Sequence, residues 1–250
     1  MGLADDGKES VEEQVTLSTG QTVTLPLSTD VTMMSVVFSA ALDPVRALLP
    51  SCLSPVRVGR KRAAVTFLFV RYHSVDDGSL EPYDEFGVLI PATRPSSRAT
   101  PILSRLPGGV GGYVHSLPVT TEPSRALGDE VWGYPKVVGD IELTESGQRR
   151  RIRVAIDGEQ FITLEIDQPP EFDFSVSATT ESYTVLDGTV IREPLSFDGE
   201  LGMRLPSKRA SYTLGDWGSL KVLDIGERAL IRCYGRGTFV VHPGKPIHSE

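Results

Sequence analysis

The chain has little of what usually marks a metal centre, a disulfide framework or a polyanion-binding surface. Its two cysteines, Cys52 and Cys233, are too few for a disulfide framework or a Cys-x-x-Cys ligand pair, so both read as buried small hydrophobes in a reducing cytoplasm. The four histidines form no metal set: His73 and His115 stand alone, and His242 and His248 fall in a Pro-rich C-terminal tail. Net basic charge is missing too. A formal charge of -8 argues against nucleic acid as a partner, because such binders present a basic face to phosphates. The longest apolar run, Ala63 to Val70, is interrupted by Thr66 and is far too short to cross a bilayer. The acidic start, Met1-Gly2-Leu3-Ala4-Asp5-Asp6, has neither the basic nor the apolar region of a secretory signal, so no membrane partner and a cytoplasmic location are expected. There is no Gly-x-Ser-x-Gly nucleophile elbow, and Gly108-Gly109-Val110-Gly111-Gly112 reads as flexible chain, because no βαβ unit or following Lys-Ser/Thr supports a phosphate loop.

What is present is enough apolar residue for one core: 40% of 250 residues, which predicts a single domain over 14–250 behind a disordered acidic tail, 1–13. Short alternating segments separated by glycine turns predict a mainly β (α+β) fold. This would be an antiparallel barrel or stacked-sheet meander with two or three short helices. Val15 to Leu25 reads as a hairpin, and Val31 to Ala40, Val56 to Val58, Ala63 to Tyr72, Glu85 to Pro91 and Tyr113 to Val119 as strands. A further run of strands covers Ile141 to Glu145, Arg149 to Ile156, Phe161 to Ile166, Phe174 to Val185, Thr189 to Leu195, Ala210 to Leu214 and Ala229 to Val241. Helices are expected from Asp43-Pro44 to Leu49, with Asp43 as cap, and from Glu122 to Val131, with Thr121 as cap. Residues 92–112 read as a long loop, and Arg149-Arg150-Arg151 with Arg153 as a solvated, charge-guarded strand edge.

Lysine is scarce where arginine is not. From Arg62 to Ser207 the chain holds twelve arginines and a single lysine, Lys136, inside Gly128-Asp129-Glu130-Val131-Trp132-Gly133-Tyr134-Pro135-Lys136-Val137-Val138-Gly139. Surface charge is supplied by the other residue, so Lys136 suggests amine chemistry. Lysine can lose its proton when desolvated and attack a carbonyl carbon, which a guanidinium cannot do. Tyr83 and Glu85 stand at strand spacing i, i+2 and share one face, where a phenol could orient a carbonyl or water while the carboxylate handles a proton. Trp132 and Tyr134 read as pocket wall, and Glu130, six residues before Lys136, as either a helix-face carboxylate or one close to the pocket.

The segment Glu130 to Lys136 resembles the active-site segment of the acetoacetate decarboxylase-like family. Glu122-Pro123, Tyr83-Asp84-Glu85 with Leu89-Ile90-Pro91, and Val36-Val37-Phe38 with Leu42-Asp43 and Leu48-Leu49-Pro50 extend the resemblance over residues 31–145. It implies a homo-oligomeric, cofactor-independent lyase in which Lys136 forms a Schiff base with a small oxo acid, assisted by Glu85 and Tyr83. Two departures matter: acetoacetate decarboxylases proper carry a second lysine where this chain has Val137, and an N-terminal arginine where this chain has none before Arg46. Desolvation by Val137, Val138, Trp132 and Tyr134 would then have to favour the neutral amine. Some relatives are aldolase-dehydratases that keep the lysine and the Tyr-x-Glu pair. The resemblance therefore implies pyruvate-type substrates first and acetoacetate or other 3-oxo acids second, and a non-enzymatic ligand-binding barrel is the competing class.

Overall fold

Alternation along three strands fixes the architecture. On β3 (Leu27–Ala41), Val31, Met33 and Val37 belong to one buried cluster, while Met34, Val36, Phe38 and Ala40 belong to another. β6 (Arg62–Val75) and β7 (Tyr83–Ile90) repeat the division, with Ala64, Leu68, Val70 and Leu89 on the first side and Val65, Phe67, Phe69, Phe86, Val88 and Ile90 on the second. A strand apolar on both faces must lie between two layers.

The computed structural model, which describes residues 12–94, 112–169, 174–205, 209–216 and 218–247, supplies both layers. β9 (Gly112–Val119), β14 (Phe174–Leu186), β15 (Thr189–Arg204), β17 (Ile231–Val241), β3, β6 and β7 pair in that order. β7 then pairs back onto β9, which closes a barrel. The first set of side chains fills its interior. The second set meets a four-stranded antiparallel sheet made of β11 (Asp140–Ser146), β12 (Arg149–Ile156), β13 (Glu159–Asp167) and β16 (Ala210–Leu214). Phe67 stands at this contact, with ring centroids 5.6 Å from Phe38, 6.2 Å from Phe86 and 5.4 Å from Tyr212. The fold is mainly β, as the turn spacing implies.

Two pairings break the antiparallel rule, and both involve β9. Its second edge is shared: β14 takes Gly112 and Tyr113, and β10 (Lys136–Val138) takes Leu117 to Val119, each in parallel. A parallel neighbour needs a crossover, and α2 (Glu122–Trp132) provides it. The strand carrying Lys136 thus occupies the part of the barrel seam that β14 leaves. β10 is absent from the expectation drawn above because Pro135 and Gly139 bracket only three residues, too few for periodicity to register.

Several local expectations are corrected. Asp43 is not a cap: α1 (Leu42–Leu48) begins after Ala41 without a side-chain cap bond, and Asp43 sits inside the first turn, where its charge faces the helix N-terminus. Arg149, Arg150, Arg151 and Arg153 are not on a sheet edge. β12 pairs with strands on both sides, and these arginines form ion pairs with Glu142, Glu145, Glu165 and Asp167. A βαβ unit does follow the glycine cluster, although residues 95–111, including most of that cluster and of the expected loop, lie outside the described residues. Residues 1–11 of the expected tail lie outside them too, and Glu13 already begins β1 (Glu13–Thr16), paired with β2 (Thr22–Leu25) as the expected hairpin. Cys233 is buried, but Cys52 is only half-buried. Thr121 caps α2 as expected, its Oγ1 accepting from the Ser124 backbone N–H at 3.3 Å.

Phe67 packs on Phe38 and Phe86 of the barrel wall and reaches Tyr212 of the outer sheet, so Phe67→Ala should cost about 3–5 kcal/mol. Urea unfolding with an unchanged slope is the measurement. A loss below 1 kcal/mol, about a fifth of the upper figure, would mean that the two layers do not depend on this contact.

Candidate active site

Lys136 reaches its position through a helix stop, a turn and a three-residue strand. Gly133, at φ 68°, ends α2 in the left-handed region, and the backbone N–H groups of Gly133 and Tyr134 donate to Asp129 and Gly128 carbonyls, each at 3.0 Å. A Cβ at Gly133 would lie 2.7 Å from Leu186 Cβ, so this stop needs glycine for space as well as for φ. Pro135 follows, and Lys136 enters β10 opposite Leu117. Its side chain runs beneath α2, where a Cβ at Gly128 would fall 2.4 Å from both Lys136 Cδ and Cε. Glycine at 128 leaves the groove in which the lysine stem lies.

The ammonium end enters the barrel interior. Lys136 Nζ lies 2.8 Å from Glu85 Oε2, with both side chains buried. Tyr72 Oη donates to Glu85 Oε1 at 3.2 Å, and the Tyr72 ring stacks on Tyr83 at 4.4 Å between centroids and 19° between planes. Nζ stands 5.4 Å from the Tyr83 ring centroid and 6.0 Å from that of Tyr134, within range of cation–π attraction. A cavity of about 70 Å³ opens here, lined by these groups and by an apolar wall that includes Leu68, Val70, Leu117, Trp132, Leu195 and Phe239. At ~15 Å³ for each water, that is room for about five waters or a ligand of a few heavy atoms.

A second carboxyl stands behind Tyr134. Glu193, on β15 and only 1% exposed, accepts a hydrogen bond from Tyr134 Oη at Oε1, while Ser182 Oγ lies 3.3 Å from the same phenol. Burial pushes Glu193 up to about 8; the Tyr134 bond and the Lys136 charge oppose the rise, and Glu85 adds to it. Burial also holds the Tyr72, Tyr83 and Tyr134 phenols well above their ordinary value, with the Glu85 charge next in importance for Tyr72 and Tyr83 and the Glu193 charge for Tyr134. All three keep their protons through the neutral range.

The structure brings together five of the six residues singled out from sequence. Lys136, Glu85 and Tyr83 converge, with Trp132 and Tyr134 forming wall; Trp132 is fixed by its Nε1–H donating to His242 O at 3.0 Å and its carbonyl accepting from Thr184 Oγ1 at 2.6 Å. Glu130 does not join them. It is exposed on the outer face of the last turn of α2, accepting from Ser18 N at 3.0 Å and from Ser18 Oγ, and it ties the N-terminal hairpin to the helix. Val137 and Val138 do not desolvate the amine either, being 38% and 41% exposed on β10. The surface around the amine comes from Trp132 and Tyr134, as expected, and from barrel-strand residues such as Leu68, Val70 and Phe239. Tyr72, Ser182 and Glu193 were not anticipated from sequence.

A sequence model of the acetoacetate decarboxylase family matches residues 15–180, well over half of the chain. The chain belongs to the acetoacetate decarboxylase family. No curated protein matches it. Solved structures share its fold at low identity. Acetoacetate decarboxylase from Legionella pneumophila is 14% identical with a TM-score of 0.64, covering 89% of this chain and 87% of that one. The enduracididine biosynthesis enzyme MppR, complexed with the condensation product of pyruvate and imidazole 4-carboxaldehyde, is 13% identical with a TM-score of 0.64, covering 88% of each chain. An acetoacetate decarboxylase-like enzyme from Sphingomonas wittichii is 15% identical with a TM-score of 0.58, covering 90% of this chain and 93% of that one. A shared fold does not decide the chemistry, and the site must speak for this chain.

A buried ion pair is strongly destabilised by losing one partner and much less by losing both. Lys136→Met should therefore cost about 3–5 kcal/mol, and adding Glu85→Gln should restore much of it. A double-mutant cycle by urea unfolding measures this. Additive losses would mean that the pair is not energetically coupled.

Proposed function

We propose that this protein is a lysine Schiff-base lyase acting on a small oxo acid, pyruvate-type substrates first. The observation that carries the reading is the buried Lys136–Glu85 pair on the wall of an apolar cavity. In water such a pair would be held apart by hydration; here the carboxylate is the nearest acceptor for the ammonium proton, and passing it leaves a neutral amine able to attack a ketone. The new C–N bond gives a carbinolamine, and Glu85 returns its proton to the departing hydroxyl, which leaves as water. The resulting iminium draws electrons from the adjacent carbon, and Glu85, again ionised, takes a proton from that carbon to give an enamine. Tyr83 and Tyr72 border the same space as neutral phenols that can donate to a carbonyl or to Glu85.

Glu85 supports proton abstraction ahead of decarboxylation. It stands against the nitrogen that becomes the imine, so the adjacent methyl of a bound 2-oxo acid lies next to a base. A 2-oxo acid imine cannot readily expel its own carboxylate, because the electrons would remain on the imine carbon. With a 3-oxo acid, CO2 loss from the same iminium is the second reading.

Borohydride reduction in the presence of pyruvate or acetoacetate should add the mass of the reduced ligand at Lys136 and nowhere else. A non-enzymatic ligand-binding barrel would show no adduct. Pyruvate's methyl group should exchange deuterium from the buffer in the wild type and not in Glu85→Gln; rapid CO2 release from acetoacetate with an unexchanged pyruvate methyl would replace this reading by the decarboxylase one.

Gly128→Ala supplies a separate test of the groove beneath the lysine. The new methyl group collides with the Lys136 stem, and adduct formation should fall at least about tenfold, since displacement of a reacting group by ~1 Å can cost a hundredfold. Adduct yield equal to the wild type would show that the stem can take another path.

A further inference from the structure

Glu193 is the one buried carboxyl near Lys136, among the described residues, that the imine chemistry leaves without a task. It does not line the cavity; Tyr134 stands between them. Its Oε2 is buried without a hydrogen-bond partner, while Oε1 meets the Tyr134 phenol. The titratable groups that face it are Tyr134 and Lys136 from the β10 segment and Glu85 from β7, and Ser182 on β14 shares its phenol partner. Arg192 beside it in sequence is engaged with Glu181.

We propose that Glu193 is a positioning residue that sets the direction of the Tyr134 hydroxyl, and through it whether the cavity is offered a hydrogen-bond donor. An ionised carboxylate only accepts, so Tyr134 must then spend its single proton on Glu193. A neutral carboxyl can donate to the phenol oxygen, and the phenol proton turns to the other side, where Ser182 and a ligand oxygen are the acceptors. One oxygen–oxygen contact serves both arrangements. Below about pH 8 Glu193 holds its proton and Tyr134 can polarise a ligand carbonyl near Lys136; above it the donor is withdrawn. The step involves proton placement alone, with no bond to the ligand made or broken.

This inference rests on the Schiff-base reading only for its kinetic arm. In the first arm, carboxyl carbon-13 NMR of glutamate-labelled protein should show a resonance titrating near pH 8 that is missing in Glu193→Gln; absence of that resonance from the wild type overturns the proposal. In the second, the rate of borohydride-trapped adduct formation with acetoacetate is compared between the wild type and Glu193→Gln at pH 7 and pH 9. Glutamine donates at both values, so the ratio of wild type to variant should fall about tenfold over the interval, one pH unit past the transition. A merely structural role would change the rate by the same factor at both values, and a constant ratio overturns the proposal. Tyr134→Phe and Tyr134→Phe/Glu193→Gln give a second pair that should show no such change in ratio, since the phenol is gone; a tenfold change there also overturns it. If no adduct forms in the wild type at any pH while the carboxyl resonance titrates as expected, the Schiff-base reading fails and the first arm still supports Glu193 as the neutral partner of Tyr134.

Discussion

A primary ammonium inside a hydrocarbon-lined barrel is the constraint to which the other features of this site answer. Moving such a charge out of water costs several kcal/mol even after relaxation, and a single carboxylate rarely offsets this unless its own remaining lone pairs are satisfied. Glu85 supplies the charge, Tyr72 satisfies the carboxylate's second oxygen, and the faces of Tyr83 and Tyr134 offer further weak attraction to the nitrogen. The tyrosines matter because each combines an apolar body with one polar tip, so they line an apolar interior and still partner its carboxylates.

The same low-polarity surroundings push the two carboxyls apart in behaviour. Glu85 touches the lysine and acts as its counter-ion; Glu193, separated from it by Tyr134, is pushed up to about 8 by burial, against the opposing Tyr134 bond and Lys136 charge. The two carboxyls of one enclosure thus have different partners, an ammonium for Glu85 and a phenol for Glu193.

The fold class was legible in the sequence because most of its strands are long and bounded by glycine turns; β12, β13 and β16 fall close to where the alternation puts them. Lys136 was legible for a chemical reason, as the lone lysine among arginines, and Tyr83 and Glu85 through their spacing. Barrel closure was not, because β7 meets β9 and β3 meets β17 across long stretches of chain that no local pattern encodes. Tyr72, Ser182 and Glu193 come from three different strands and were missed for that reason. Glu193 did carry a signal: it alternates with Leu195 and Phe197, which face inward, but Arg192 and Pro194 beside it make the stretch look solvated. Glu130 was misplaced because a helix turns 100° per residue, so a carboxylate two residues before Trp132 faces away from the wall that Trp132 forms.

The chain leaves the lysine strand without slack. Val138 still pairs with Val119, the next residue, Gly139, donates its N–H to that same Val119 carbonyl at 2.9 Å, and Asp140 already belongs to the outer sheet. A Cβ at Gly139 would lie 2.6 Å from the Ala155 carbonyl oxygen, so the two layers approach here to backbone contact. The amine is therefore anchored at both ends of a three-residue tether, by a helix stop on one side and by the junction of two sheets on the other. Sliding one sheet over the other would pull directly on the Lys136 backbone, which makes the register between the layers a determinant of where its Nζ sits.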